Sequence, residues 1–296
     1  MSREITLGLI QMDCRLNDLE YNKNKAVRMI TDAAAKGANM VCLPELFSSG
    51  YNPNAVGWKW HYFAEDGQGR TVQELSRLAQ QLKISIIAPM AEKRELPGVI
   101  YNSAFFIYED GQVLGSYAKT HLWYTEKNYF RQGDSLRIFE TSFGKIGLLI
   151  CYDILFPELI RQLTLAGAEL IFLPSAWRAV EDFIWNTILP ARALENTVFL
   201  AAVNRIGTDE EIDFFGESCV LDPQGKFLEQ GKRNEEDIII KTINLDELSR
   251  FRYDFPYLRD LQPELYKRIS KRIISVNAEH KIKSPFPSKT EGEKEE

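Results

Sequence analysis

An α/β sandwich, two stacked mixed sheets with helices outside, is the fold this sequence predicts, and three observations predict it. Short apolar runs alternate with helical periodicities along most of the chain. The segment Gly37-Ala38-Asn39-Met40-Val41-Cys42-Leu43-Pro44 is echoed by Gly167-Ala168-Glu169-Leu170-Ile171-Phe172-Leu173-Pro174, each preceded by a helix and a buried strand. Turns at Glu109-Asp110-Gly111 and Asp222-Pro223-Gln224-Gly225 insert hairpins, so antiparallel pairing joins the parallel. Two copies of a unit are too few for a solenoid, which leaves a pair of similar layers packed on one another.

Residues 5–12 read as the first strand, and Asn17-Asp18 caps a helix whose apolar positions Ala26, Met29, Ile30 and Ala33 lead to a stop at Gly37. The strand 39–43 ends at Pro44-Glu45, after which Asn52-Pro53 and Gly57 mark a long irregular loop. Its aromatics Phe47, Tyr51, Trp58 and Trp60 are expected to wall a pocket rather than fill a core. A helix over 71–82, a strand over 84–90 and hairpin strands over 101–108 and 112–118 follow, then strands over 136–139 and 145–150. Pro157 and Glu158 open a helix, 182–196 is another, and 198–204 is a strand. Residues 214–221 and 226–228 flank the second hairpin turn, and 238–243 is the last sheet strand. The segments 246–252 and 263–274 read as amphipathic helices. A single domain is expected over 1–280, with 246–280 lying across a neighbouring subunit and 281–296 a mobile charged tail.

Composition narrows the function. At 296 residues and 45% hydrophobic content the chain buries a sizeable core. Its net charge of −6 is spread along the sequence, so neither nucleic acid nor an anionic membrane is an expected partner. No secretory leader and no apolar run of about 18 residues appears. Cys14, Cys42, Cys151 and Cys219 are scattered without metal-ligand spacing, which reads as four free thiols in a reducing cytoplasm. No phosphate loop or metal cluster is present, so no cofactor is expected.

Chemistry gathers at three strand ends. Cys151 ends the apolar run Ile146-Gly147-Leu148-Leu149-Ile150 just where a helix begins, close to unpaired N–H groups and the positive end of a helix dipole, which favour thiolate. A lone cysteine in such a run is ordinarily a small buried hydrophobe. Glu45 and Lys119 change that reading, because they too stand at strand ends, and strand ends of stacked α/β proteins converge on one crevice. A buried carboxylate and a buried ammonium are each costly alone and are expected as a pair.

These residues also carry a resemblance. Pro44-Glu45-Leu46-Phe47, Lys119-Thr120-His121-Leu122, and Cys151-Tyr152-Asp153 with Phe156-Pro157-Glu158 resemble, in order and spacing, the signature boxes of the nitrilase superfamily, carbon-nitrogen hydrolases with a Glu-Lys-Cys triad. The likeness extends through Glu126-Lys127-Asn128-Tyr129-Phe130-Arg131-Gln132-Gly133, Ala191-Arg192-Ala193-Leu194-Glu195-Asn196 and Phe215-Gly216-Glu217-Ser218, covering about residues 4–270. It implies a four-layer αββα sandwich that dimerises into an αββα-αββα assembly. It also implies a second glutamate, Glu126, that holds Lys119 or orients the substrate.

Residue types supply the mechanism. Cys151 attacks an amide carbon, and Glu45 takes the thiol proton, delivers it to the departing amine and later activates water against the thioester. Lys119 and the backbone N–H of Tyr152 stabilise the oxyanion. The lack of a nucleophile elbow beside only three histidines, His61, His121 and His280, argues against a serine triad, and a structural hydrogen bond is favoured for His121 over a Cys-His pair. Tyr51, Trp123, Tyr124, Phe156 and Trp177 are expected to wall a compact site. Family members acting on carboxylate substrates tend to carry arginine soon after the cysteine, where this chain has Ile154-Leu155, although Arg178 could substitute. The substrate expected is a small neutral or cationic aliphatic amide or N-carbamoyl compound. Nitrile hydrolysis is the alternative, and a scaffold that keeps the fold without the reaction is the third.

Overall fold

The computed structural model describes residues 3–266. The first compact unit is Met1–Leu258; the second begins at Arg259, and its described part contains one helical turn, Pro263–Tyr266. Most of the helix expected over 263–274, the far end of the expected extension and the charged tail lie outside the described residues.

Fourteen strands are described: β1 Glu4–Gln11, β2 Met40–Cys42, β3 Ser85–Lys93, β4 Ile100–Ile107, β5 Val113–Ala118, β6 Ile138–Glu140, β7 Lys145–Leu148, β8 Leu170–Ser175, β9 Phe199–Asn204, β10 Ile206–Asp209, β11 Ile212–Phe215, β12 Cys219–Leu221, β13 Phe227–Gln230 and β14 Asp237–Asn244. They form two six-stranded sheets, ordered β14-β1-β2-β3-β4-β5 and β6-β7-β8-β9-β12-β13, plus the ribbon β10-β11. From β14 and from β6 the pairing runs alike in both: antiparallel, parallel, parallel, antiparallel, antiparallel. The sequence echo is therefore a structural one, and the fold is the stacked pair of mixed sheets that was expected.

Strand alternation decides which layer each side chain joins. Ile5, Leu7 and Leu9 of β1 face the second sheet, in one core with Ile146, Leu148, Phe172 and Ala201. Ile10 faces the other way, toward Ala26, Ile30 and Ala33 of helix α1 (Leu19–Ala35) and Val72, Leu75 and Ala79 of α2 (Arg70–Leu82). The second sheet is covered likewise by α3 (Pro157–Leu165) and α4 (Asp182–Asn196). Asp18 caps α1 by accepting the Tyr21 N–H at 3.2 Å. β1 and β7, equivalent strands of the two sheets, each carry a glycine under a helix. A Cβ on Gly8 would meet Ala38, Val41 and Ala33 within 3.3 Å, and one on Gly147 would meet Ile171 at 2.5 Å. Close helix-on-sheet packing needs both positions bare.

Two expectations are corrected. Residues 214–221 are not one strand: Gly216 and Glu217 take φ of 78° and 55°, interrupting the ladder so that Phe214 and Phe215 belong to the ribbon and Cys219–Leu221 to the second sheet. The loop after Glu45 is not irregular; short helical turns occupy Pro53–Val56 and Trp60–Phe63. Of its aromatics, Phe47 and Trp60 fill cores and Trp58 is exposed, leaving Tyr51 to face a cavity. A last helix, α5 (Leu248–Asp254), follows β14. No helix among the described residues is long and apolar enough to cross a membrane.

Candidate active site

Glu45, Lys119, Glu126 and Cys151 come together where β2, β5 and β7 end. Glu45, Lys119 and Glu126 have no solvent exposure, and Cys151 has 7%. Lys119 Nζ donates to Glu45 Oε1 at 2.7 Å and to Glu126 Oε1 at 2.9 Å, so one ammonium joins two carboxylates. Glu126 is held in turn by Tyr51, whose Oη donates to Oε1 at 2.6 Å, and by the Trp123 N–H, which donates to Oε2 at 2.8 Å. That last bond is the back half of a capping box on the turn Tyr124–Asn128. Tyr51 is anchored from the ribbon: its N–H donates to Asp209 Oδ2 at 2.7 Å, and Asp209 is paired with fully buried Arg205.

Two groups not singled out in the sequence hold Glu45. Asn102 Nδ2 donates to Oε1 at 2.7 Å, and the Ala176 N–H donates to Oε2 at 3.0 Å. Ala176 and Cys151 line the same cavity, so the donor that holds Glu45 stands beside the thiol, where burial raises the thiol pKa and this donor pulls it down. Glu45 and Ser175 occupy equivalent strand ends, and the Glu45 N–H reaches Ser175 O across the sheets at 3.4 Å.

Cys151 opens a 3-10 turn, Cys151–Leu155, with φ of +48°, a left-handed backbone rare for a residue with a side chain. Asp153 fixes that turn. Its Oδ2 accepts the Ile150 N–H at 3.1 Å and Tyr117 Oη at 2.8 Å, while Oδ1 accepts the His121 N–H at 2.9 Å and Thr120 Oγ1 at 3.0 Å. One buried carboxylate thus ties the nucleophile turn to the strand end that carries Lys119. A carboxylate three residues after an N-cap was the signal available for it; Asn102, mid-strand, gave only the hint of a polar residue in an apolar run.

The electrostatics correct one expectation. Burial pushes the Cys151 thiol well above its ordinary value, and the Glu45 charge adds to this against the pull of Lys119. A five-residue turn provides too little dipole to outweigh that, so the free site holds a thiol rather than a thiolate. Burial pulls Lys119 down, but the carboxylates of Glu126 and Glu45 more than reverse it, and the ammonium stays charged. Glu126 is raised by burial, with Lys119 opposing and Glu45 reinforcing.

Beside the thiol lies a cavity of about 50 Å³ lined by Tyr51, Trp123, Tyr152, Leu155, Trp177 and Arg178, among others. Phe156 does not line it; that ring stacks on His121 at 3.6 Å. Tyr124 is 75% exposed and borders a separate outer depression. The Tyr152 N–H lies in the first turn of its helix, where helical geometry offers no acceptor. Arg178 forks onto Glu181. His121 bonds Thr120 through Nδ1 at 3.0 Å, the structural role expected of it.

A stacked α/β fold brings a buried thiol, carboxylate and ammonium to one cleft, the layout of a hydrolase site. Residues 6–253 match the family model for carbon-nitrogen hydrolases, and the chain belongs to that family. It is 35% identical to a probable nitrilase of Schizosaccharomyces pombe, over 89% of this chain and 97% of that one. It is 32% identical to the N-carbamoylputrescine amidase of Solanum lycopersicum, over 90% and 95%. Among solved structures, a carbon-nitrogen hydrolase from Helicobacter pylori G27 superposes with a TM-score of 0.83 at 29% identity, over 92% of this chain and 99% of that one. A mutant amidase from Nesterenkonia sp. AN1, with the acetamide moiety of fluoroacetamide added covalently at its active-site cysteine, gives 0.79 at 27%, over 90% and 97%. The relatives act on amides and nitriles, and this chain is a carbon-nitrogen hydrolase.

Proposed function

We propose that the enzyme hydrolyses a small aliphatic amide or N-carbamoyl compound through a thioester on Cys151, releasing ammonia. The observation that carries this is the buried Lys119 ammonium bonded to both Glu45 and Glu126 beside the cavity that Cys151 lines, an ammonium that both carboxylates keep charged. A neutral thiol needs a base within reach, and Glu45 is that base. As sulfur bonds to the carbonyl carbon, its proton passes to Glu45, and the carbonyl oxygen gains the charge that Lys119 Nζ and the Tyr152 N–H receive. Glu45 returns the proton to nitrogen as the C–N bond breaks, and ammonia leaves. A water then gives a proton to Glu45 and attacks the thioester, and the same proton returns to sulfur as the acid departs. Glu126 and Asn102 hold Lys119 and Glu45 for these transfers. The likeness to an amidase whose active-site cysteine takes the acetamide moiety of fluoroacetamide covalently supports Cys151 as the reacting sulfur.

A second reading, nitrile hydrolysis, is favoured by the likeness to the Schizosaccharomyces nitrilase. It uses the same sulfur but passes through a thioimidate. The reading also includes a homodimer in the cytoplasm, which the family resemblance and the four buried free thiols support. The test is ammonia release from a panel of small primary amides and carbamoyl compounds, beside a nitrile panel, for wild type and Cys151→Ala. The amide reading expects Cys151-dependent release and, on intact-mass measurement, a transient acyl adduct at Cys151; release from nitriles alone sinks it in favour of the second.

A further inference from the structure

We propose that Glu181 determines specificity by occupying Arg178, so that the site takes neutral or cationic small amides and refuses those ending in a carboxylate; this rests on the amide reading above. Apart from the thiol, the cavity walls hold one cation and one anion, Arg178 and Glu181. They satisfy each other. Arg178 Nη2 donates to Glu181 Oε1 at 2.5 Å and Nε donates to Oε2 at 3.2 Å, a two-bond fork within one turn. The turn is fixed, since the Glu181 N–H donates to Arg178 O at 3.1 Å and Trp177 Nε1 donates to Glu181 O at 3.1 Å. The guanidinium lies over the Trp123 ring, 4.5 Å from its centroid, so it has little freedom to turn toward a new partner.

The remaining walls, Tyr51, Trp123, Tyr152, Leu155, Trp177 and Ile184, are mainly apolar and offer a carboxylate no second cation. An anionic substrate tail meets two options. It either displaces Glu181 from the fork, leaving that half-buried carboxylate without its cation, or lies unpaired itself beside a like charge. A neutral methyl end meets neither difficulty. An ammonium end finds Glu181 with lone pairs unused by the fork, because a carboxylate has about four acceptor sites and Arg178 takes two. Lys119 does not rescue the anion, being fully buried between Glu45 and Glu126.

Three primary amides of matched length test this: butyramide, succinamate and β-alaninamide, which end in methyl, carboxylate and ammonium. The readout is kcat/KM by ammonia release for wild type, Glu181→Gln, Glu181→Ala and the double variant Arg178→Gln with Glu181→Gln. Wild type is expected to favour butyramide over succinamate by about tenfold or more, and either single variant to raise the succinamate-to-butyramide ratio by about tenfold, chiefly through KM. The double variant should lose that gain, since the freed guanidinium is its source. The inference is overturned if wild type uses succinamate as readily as butyramide, if neither single variant moves the ratio, or if the gain survives loss of Arg178. Calorimetric binding of the three amides to Cys151→Ala, with and without Glu181→Gln, separates the two readings. If no variant turns over any amide the proposed reaction fails, yet the inference stands where Glu181→Gln alone admits succinamate. If none binds either, both fall.

Discussion

Asp153→Asn is the substitution that probes the site's architecture most directly. The four donors on Asp153 are divided so that each carboxylate oxygen faces one hydroxyl and one backbone N–H: Thr120 and His121 N on Oδ1, Tyr117 and Ile150 N on Oδ2. An asparagine must turn its amide nitrogen to one side or the other. A hydroxyl can rotate to accept from it, but a backbone N–H cannot, so either orientation sets two donors against each other in a site with no exposure. The loss is one hydrogen bond to a charged acceptor plus one orphaned buried N–H, about 3 kcal/mol in all. For a unit of this size that lowers Tm by about 6–12 °C. The fall in activity is argued separately. With the Ile150 N–H released, the turn that sets Cys151 at φ +48° loses one of its braces, and the Tyr152 N–H shifts with it. Losing one oxyanion donor lowers kcat by about 10²–10³. Differential scanning calorimetry and single-substrate kinetics are the assays, with Thr120→Val as the comparison, since it removes one rotatable donor and should lower Tm by about a third as much. A Tm within about 2 °C of wild type together with kcat within about threefold would refute the bracing role.

Four further outcomes follow from the same site. In the free protein, alkylation of Cys151 by iodoacetamide should keep accelerating with pH beyond the ordinary thiol value of about 8.5, since burial raises the thiol; a plateau below pH 8 would contradict the pKa argument. Glu126 has its folded pKa raised by burial, so its contribution is fully present below the unfolded value and lost as pH rises through the folded one. The stability of wild type relative to Glu126→Gln should therefore decline as the solution is taken from about pH 4.5 toward neutrality in urea titrations, and a difference that grows with pH counts against it. Lys119→Met leaves two buried carboxylates facing each other and is expected to unfold about 3–5 kcal/mol more easily by denaturant titration as well as being inactive; undiminished stability refutes the buried pairing. Asn102→Leu removes a donor from Glu45 and should lower kcat by about tenfold with KM little changed; a pure KM effect would point to substrate contact instead.

Much of the fold was legible because the signals are local. Apolar alternation, the Asp18 cap and the Asp-Gly turn each act within a few residues, and the repeated Gly-Ala-to-Pro segment carried the two-sheet arrangement. What was not legible is long-range or set by backbone dihedrals. No composition rule marks Gly216 and Glu217 as the place where a strand breaks, because only one of them is a glycine. Phe156 and Tyr124 carry the right chemistry for a pocket wall, and only the turn geometry turns one toward His121 and the other toward solvent. Asn102 escaped notice because its role depends on β4 lying beside the end of β2's neighbour, an adjacency no spacing encodes. The thiol pKa is not legible because proximity to a helix start can be seen in a sequence, whereas burial beside a carboxylate from the other sheet cannot.

The two halves also explain where chemistry was able to enter. Register aligns Gly8 with Val41 and Gly147 with Ile171, so the halves correspond residue for residue along their central strands. Four positions beyond each glycine stand Met12 and Cys151, and four beyond Val41 and Ile171 stand Glu45 and Ser175. At each equivalent pair one half keeps an ordinary residue and the other carries a reactive one, and the two reactive residues come from opposite sheets. Stacking the sheets face to face is then what brings them together: the Ala176 N–H that holds Glu45 stands one residue past Ser175, and Ala176 and Cys151 line one cavity. A nucleophile and base on neighbouring strands of a single sheet would be separated only by strand spacing and would share one solvent-facing edge. Placed on two sheets, they meet in the seam between the layers, where burial keeps the ammonium of Lys119 paired and makes its charge effective on a developing oxyanion.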